Sequence, residues 1–188
     1  MISKPHLFVL TGGPGAGKTT LLHELERRGL RTVPEVARQI IQEQVASGGT
    51  ALPWADREAY TELMLQRSVH SFQNESGSGV AICDRGIPDT LCYARLCGLD
   101  EKAADDASAT YRYAGTVFLA PAWQEIYTAD SERRQDFAEA VRTSELMLSI
   151  YQECGYKVLE IPRVDVGQRA DFVLTHLKTI SDVKVASL

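Results

Sequence analysis

The stretch Leu7-Phe8-Val9-Leu10-Thr11-Gly12-Gly13-Pro14-Gly15-Ala16-Gly17-Lys18-Thr19-Thr20 constrains this chain more than any other. A short apolar run reads as a buried strand, it feeds a glycine-rich turn, and the turn opens a helix. Gly12, Gly17, Lys18 and Thr19 fill every fixed position of G-x-x-x-x-G-K-[ST]. The spacing has a physical reason. A phosphate chain needs several backbone N–H groups converging on it, and only a loop poor in Cβ atoms wraps that closely. The helix beginning near Gly17 adds unsatisfied N–H groups and the positive end of its dipole. Lys18 then reaches the β- and γ-phosphates, and the Thr19 hydroxyl is placed to ligate Mg²⁺. The segment Gly12, Gly13, Pro14, Gly15, Ala16, Gly17, Lys18, Thr19 and Thr20 is therefore expected to cradle a nucleoside triphosphate.

The rest of the chain alternates apolar strands with helical patterns. Leu21, Leu22 and Leu25 give one face of a first helix that should stop at Gly29. Leu30 to Pro34 reads as extended, and Val36, Ile40, Ile41 and Val45 recur at helical spacing up to Ser47-Gly48-Gly49. A helix is expected over Pro53 to Gln73, a loop over Asn74 to Gly79, and a core strand over Val80 to Cys83. Pro88 starts another helix, and a polar helical patch runs from Asp100 to Arg112. Thr116 to Ala120 reads as a strand ended by Pro121, and a long amphipathic helix reaches Cys154. Tyr156 to Ile161 is the last strand, and Gly167 to Ile180 a closing helix with Phe172, Val173, Leu177 and Ile180 inward. Five apolar strands separated by helices predict an α/β, three-layer architecture: a five-stranded parallel sheet covered on both faces. Ligands of such sheets sit at the carboxyl ends of the strands.

At 188 residues the chain suits a single domain spanning 1–188. A net charge of −5, with no basic stripe, argues against general nucleic-acid binding. Cys83, Cys92, Cys97 and Cys154 form no C-x-x-C, as expected for buried thiols of a reducing, cytoplasmic compartment. No apolar run approaches a membrane span, and Met1 to Lys4 is too short for a signal peptide.

The strand-end rule selects the remaining candidates. Asp84 closes an apolar strand, the position for a carboxylate that holds Mg²⁺ or takes a proton from an acceptor hydroxyl. Arg85 is placed to grip phosphate or substrate. Asp89 reads equally as a substrate contact or as an acid at a helix N-terminus. Glu35 ends the second strand, and Arg38 lies one helical turn on, so together they can present an acid and a base to an acceptor. Arg133 and Arg134, in a charged stretch of a candidate lid over 123–136, would meet the negative charge that builds up in phosphoryl transfer. Trp54 and Trp123 are able to stack on a ring or simply to pack. Arg163 and Arg169 flank the turn after the last strand, where many nucleotide sites hold the base.

This order of motifs resembles the NadR-like bacterial phosphate-loop ATPase and kinase domains, catalogued as predicted ATPases of the AAA type. The resemblance rests on Thr11 to Thr20, Val33-Pro34-Glu35-Val36-Ala37-Arg38, Asp84-Arg85-Gly86-Ile87-Pro88-Asp89, Tyr127-Thr128-Ala129-Asp130 with Arg133, and Gly155-Tyr156-Lys157-Val158. It implies a nucleoside-monophosphate-kinase-like core with strand order 2-3-1-4-5, ATP with Mg²⁺, and an acceptor near Glu35, Arg38 and Asp84. Two functions follow. In the first, an enzyme transfers the γ-phosphoryl group of ATP to a small acceptor, with Lys18, Glu35, Asp84, Arg85, Arg133 and Arg134 catalytic, Glu35, Arg38, Arg85 and Asp89 on the acceptor, and Thr19 and Asp84 on the metal. In the second, a nucleotide-dependent switch binds a protein partner and hydrolyses ATP slowly.

Overall fold

The segment Leu7–Thr11 is wholly buried, and everything else is laid around it. The computed structural model describes residues 1–127 and 136–185, with side chains through 179. In chain order the elements are β1 (Ile2–Ser3), β2 (Leu7–Thr11), α1 (Lys18–Arg27), β3 (Arg31–Val33), α2 (Val36–Ser47), α3 (Arg57–Asn74), β4 (Ala81–Asp84) and α4 (Ile87–Cys97). Then come α5 (Lys102–Thr110), β5 (Tyr111–Arg112), β6 (Thr116–Leu119), α6 (Phe137–Glu153), β7 (Lys157–Glu160) and α7 (Val166–Val185). Five strands form one sheet in the order β3-β4-β2-β6-β7, every pair parallel.

Because side chains alternate along a strand, β2 supplies both faces of the sheet. Phe8 and Leu10 pack with Leu21, Leu22 and Leu25 of α1, Phe118 of β6, and Val173 and Leu177 of α7. Leu7 and Val9 pack the other way, against Phe72 of α3, Ile87 of α4 and Tyr151 of α6. A third cluster joins Ile40 and Ile41 of α2 to Tyr60 and Met64 of α3. Burying each of these large side chains contributes roughly 1.5–3 kcal/mol, which makes the three layers the main source of stability. The register Leu10↔Asp84 and Thr11↔Leu119 brings the ends of β4, β2 and β6 to one level, and the loops that follow share one edge.

Several boundaries differ from the sequence reading. The helix expected from Pro53 begins at Arg57, because the Asp56 side chain accepts from the Ala59 N–H and caps it there. The polar patch over Asp100 to Arg112 divides: α5 stops at Thr110, and Tyr111–Arg112 pairs in parallel with Ile2–Ser3 as a separate two-stranded sheet. Helix α7 runs past Ile180, whose side chain lies outside the described residues. Cys83 and Cys92 are buried and Cys97 and Cys154 partly exposed, all four free thiols. Burial pushes Cys83 and Cys92 up to about 12, so neither is a nucleophile near neutral pH. Among the described residues no helix is long and apolar enough to cross a membrane.

Candidate active site

The turn after β2 approaches its neighbours so closely that two positions admit only glycine. At Gly12, φ is +147° and a Cβ would lie 2.3 Å from the Ala120 carbonyl oxygen; at Gly13 a Cβ would lie 2.8 Å from that of Ala140. Gly17, with φ +72°, begins α1 in the left-handed region, and no side chain caps the helix. Its first-turn N–H groups are left for an anion, and no acidic residue stands in that turn to oppose one. Lys18 folds over the turn and donates to the carbonyl oxygens of Gly12 at 2.9 Å and Gly13 at 3.3 Å. Thr19 and Thr20 are exposed beside it.

Pro14, Gly15, Gly17, Lys18, Thr19 and Thr20 line a cavity of about 590 Å³, together with Glu35, Arg38, Asp84, Arg85, Trp123 and Arg169 among others. Asp84 is part of that lining. Its Oδ1 is buried and accepts no hydrogen bond. Burial lifts the Asp84 carboxyl above the usual range, and the Lys18 ammonium partly offsets that. An orphaned carboxylate oxygen in one cavity with a glycine-rich turn and the Thr19 hydroxyl suits a Mg²⁺ ion or one of its waters. The donor set fits the metal.

A second cavity of about 450 Å³ opens on the other side of Glu35 and Arg85. Its lining is largely apolar and aromatic, with Trp54, Tyr60, Met64, Tyr93, Leu96 and Met147. Tyr60 and Tyr93 meet edge to face, ring centroids 5.3 Å apart. Trp54 and Leu96 stay 59% and 45% exposed at the mouth, so apolar surface there awaits cover. Pro14, Glu35 and Arg85 line both cavities.

Arg85 holds this junction together. It sits in the left-handed region with φ +72°, an uncommon state for a residue with a Cβ. Its Nε donates to Glu35 Oε1 at 2.8 Å and its NH1 to Asp89 Oδ1 at 2.9 Å. Burial opposes the guanidinium charge, but the carboxylates of Glu35, Asp89 and Asp84 outweigh it and hold the pKa up. Asp89 Oδ1 also accepts from Thr11 Oγ1 at 2.6 Å, while Oδ2 accepts from the Gly86 N–H at 2.9 Å and from Tyr151 Oη at 2.5 Å. Both oxygens are thus engaged by protein donors and the residue is 5% exposed. In this arrangement Asp89 faces the protein as the N3 acid of α4 and the anchor of Arg85.

The structure therefore brings Lys18, Thr19, Glu35, Arg38, Asp84 and Arg85 to one cleft. Trp123 lines the nucleotide side and Trp54 the aromatic side. Arg133 and Arg134, with most of the 123–136 segment, lie outside the described residues. Sequence reasoning missed the roles of Tyr151 and Thr11 and, apart from Trp54, the aromatic wall. A tyrosine on the buried face of α6 was the available signal, since a buried hydroxyl needs a partner.

A family model described as an AAA domain matches residues 7–169. The chain belongs to this AAA domain family. Comparison with curated proteins finds no match. Among solved structures the domain is similar to deoxyadenosine kinase from M. mycoides, with products dCMP and a flexible dCDP bound, at 14% identity and TM-score 0.62, covering 92% of this chain and 99% of that one. It is similar to NadR in complex with NR at 19% identity and TM-score 0.65, covering 85% of this chain but 46% of that one. Thymidylate kinase from Ehrlichia chaffeensis gives 18% identity and TM-score 0.61, covering 92% and 97%. At such identities the likeness is one of fold: the AAA domain has the phosphate-loop kinase architecture.

Proposed function

We propose that this domain is a Mg·ATP-dependent phosphotransferase that passes the γ-phosphoryl group to a small acceptor. One observation carries the reading: a cavity lined by the phosphate loop and an aromatic cavity meet at a part-buried acid–cation pair, Glu35 and Arg85. A switch that hydrolyses ATP without an acceptor has no need of the second cavity. The acceptor is a molecule with a flat apolar portion, seated between Tyr60, Tyr93 and Met64, whose hydroxyl or phosphate oxygen points to the junction. The loop N–H groups and Lys18 hold the triphosphate, and Thr19 and Asp84 hold Mg²⁺, which when bound screens the phosphate charge. The acceptor oxygen attacks the γ-phosphorus, the bond to the β–γ bridging oxygen breaks, and the acceptor proton passes to Glu35 or Asp84 as ADP leaves. Arg85 is the fixed positive charge at the point where the two substrates meet. Rate acceleration then comes from positioning and electrostatics.

The test is incubation with γ-labelled ATP, Mg²⁺ and a fractionated metabolite extract. Label is expected in an organic product, and in none with Lys18→Ala. Label recovered only as inorganic phosphate from every fraction would replace this reading with the hydrolytic switch.

A further inference from the structure

Arg169, one turn into α7, is a buried cation that the proposed reaction does not use. The residue is 4% exposed. Its guanidinium has no carboxylate within ion-pairing distance among the described residues, and its Nε has no partner. NH2 makes one hydrogen bond, to the carbonyl oxygen of Ala16 at 2.9 Å, across 153 residues of chain. NH1 lies flush on the turn, 2.8 Å from where a Cβ at Gly17 would stand. A buried guanidinium with one acceptor costs folding free energy, and burial accordingly depresses its pKa.

That cost has a counterpart in the geometry of the loop. A trans peptide points its C=O and N–H in opposite directions, and no peptide of the described residues is cis. Holding the Ala16 carbonyl on the α7 side therefore turns the Gly17 N–H the other way, as the anion nest of the loop requires. Polarising that carbonyl also strengthens the N–H as a donor. The ligand that meets this N–H carries several negative charges, which compensate a guanidinium left without a counter-ion.

We propose that Arg169 is a positioning residue for the phosphate loop: it fixes the Ala16–Gly17 peptide through the Ala16 carbonyl and supplies, besides Lys18, a second fixed positive charge in the same cavity for a polyphosphate. The inference rests on the nucleotide reading of this cleft, and it predicts opposite signs for fold and function. Replacing the guanidinium by an apolar chain of similar length removes an uncompensated buried charge, so the unliganded Arg169→Met protein is expected to melt at or above the wild-type temperature. The same variant is expected to bind both ATP and inorganic tripolyphosphate about tenfold more weakly, equivalent to about 1.4 kcal/mol, and by the same factor for each. Arg169→Lys, which keeps the charge without the planar fork, should fall between the two.

The measurements are melting curves without ligand and calorimetric titration with each of the two ligands. A Met variant that melts well below wild type and binds both ligands normally would make Arg169 a purely structural residue and overturn the proposal. So would a loss confined to ATP, which would move Arg169 to the nucleoside end. If wild type binds neither ligand, the nucleotide reading itself fails, whatever the variants do.

Discussion

In the proposed reaction Asp84 and Glu35 carry the chemistry at the scale of single residues, and their environments separate the roles proposed for them. Glu35 is held by Arg85 at 2.8 Å at the boundary of both cavities, whereas Asp84 keeps a buried oxygen with no donor. Glu35→Gln should therefore cut transfer by about 10²–10⁴-fold, the usual contribution of a placed general base, while the ATP dissociation constant changes by less than about threefold. Turnover that survives the change, measured with the identified acceptor, would pass the role of base to Asp84. Asp84→Asn acts on the metal instead, and a drop of at least about a hundredfold in Mg²⁺-dependent turnover is expected. The two substitutions differ in a second readout. A carboxyl whose pKa is raised by burial is costly to ionise in the folded protein, so Asp84→Asn should raise the melting temperature of the unliganded protein at pH 7. A lower melting temperature would mean that some donor already satisfies this carboxylate.

At the scale of elements, the site is a clamp between β2, α4 and α6. Tyr151 on α6 and Thr11 at the end of β2 both donate to Asp89 on α4, so the phosphate loop, the turn bearing Arg85 and the helix opposite share one buried anchor. Tyr151→Phe keeps the packing of a fully buried ring and leaves Asp89 Oδ2 with one donor fewer. Chemical denaturation should show a loss of about 1–3 kcal/mol, and a neutral effect would mean that Asp89 is satisfied without it. Gly12→Ala strikes the same clamp through the backbone: its Cβ would meet the Ala120 carbonyl at 2.3 Å. A loss of about 2 kcal/mol or more is expected, which for a chain of this size lowers the melting temperature by roughly 4–8 °C. These elements were legible to different degrees. Strand β2 and helix α1 follow from an unbroken apolar run and a glycine turn, and α2 ends at Gly48 in the left-handed conformation, as its Ser-Gly-Gly announced. That Glu35, Asp84 and Arg85 would gather at one edge was legible, because all three lie at or just past the ends of neighbouring parallel strands. The β1–β5 pair was not, since two-residue strands carry no periodicity. Nor was the Tyr151–Asp89 bond, which joins residues 62 apart in the chain. Spacing cannot say which side chains two helices turn toward each other, and for that reason the aromatic cavity, drawn from α2, α3, α4 and α6, was not legible beyond Trp54 as a residue able to stack.

The molecule as a whole divides its titrating groups by function, and this gives a prediction about acid. Carboxylates whose pKa is depressed lie on the outside: Glu24, held down to about 2 by Arg27 and Arg28, Glu75, where Arg31 and the Gly77 N–H outweigh burial, and Glu153, lowered by Ser149 and Arg95. A depressed carboxyl contributes stability that is present above its ordinary pKa and lost as pH falls through the folded value. For Glu24 that window runs from 4.5 down to about 2. Asp84 has the opposite sign. Its pKa is raised above the ordinary 3.8, so protonation on the way down relieves the fold while removing the carboxylate proposed to hold the metal. Acidification from pH 7 toward pH 4 should thus weaken Mg·ATP binding before it harms the fold. The melting temperature of the unliganded protein is expected to hold or rise slightly across this range, while the extra stabilisation from Mg·ATP, which follows RT ln(1 + [L]/Kd), shrinks toward zero. Asp84→Asn is the control: its Mg·ATP increment should already be small at pH 7 and should change with acidification only as far as the triphosphate itself is protonated. Melting curves at half-unit steps with and without Mg·ATP decide it: if the ligand's increment persists down to the pH at which the unliganded protein begins to unfold, Asp84 is not the metal carboxylate.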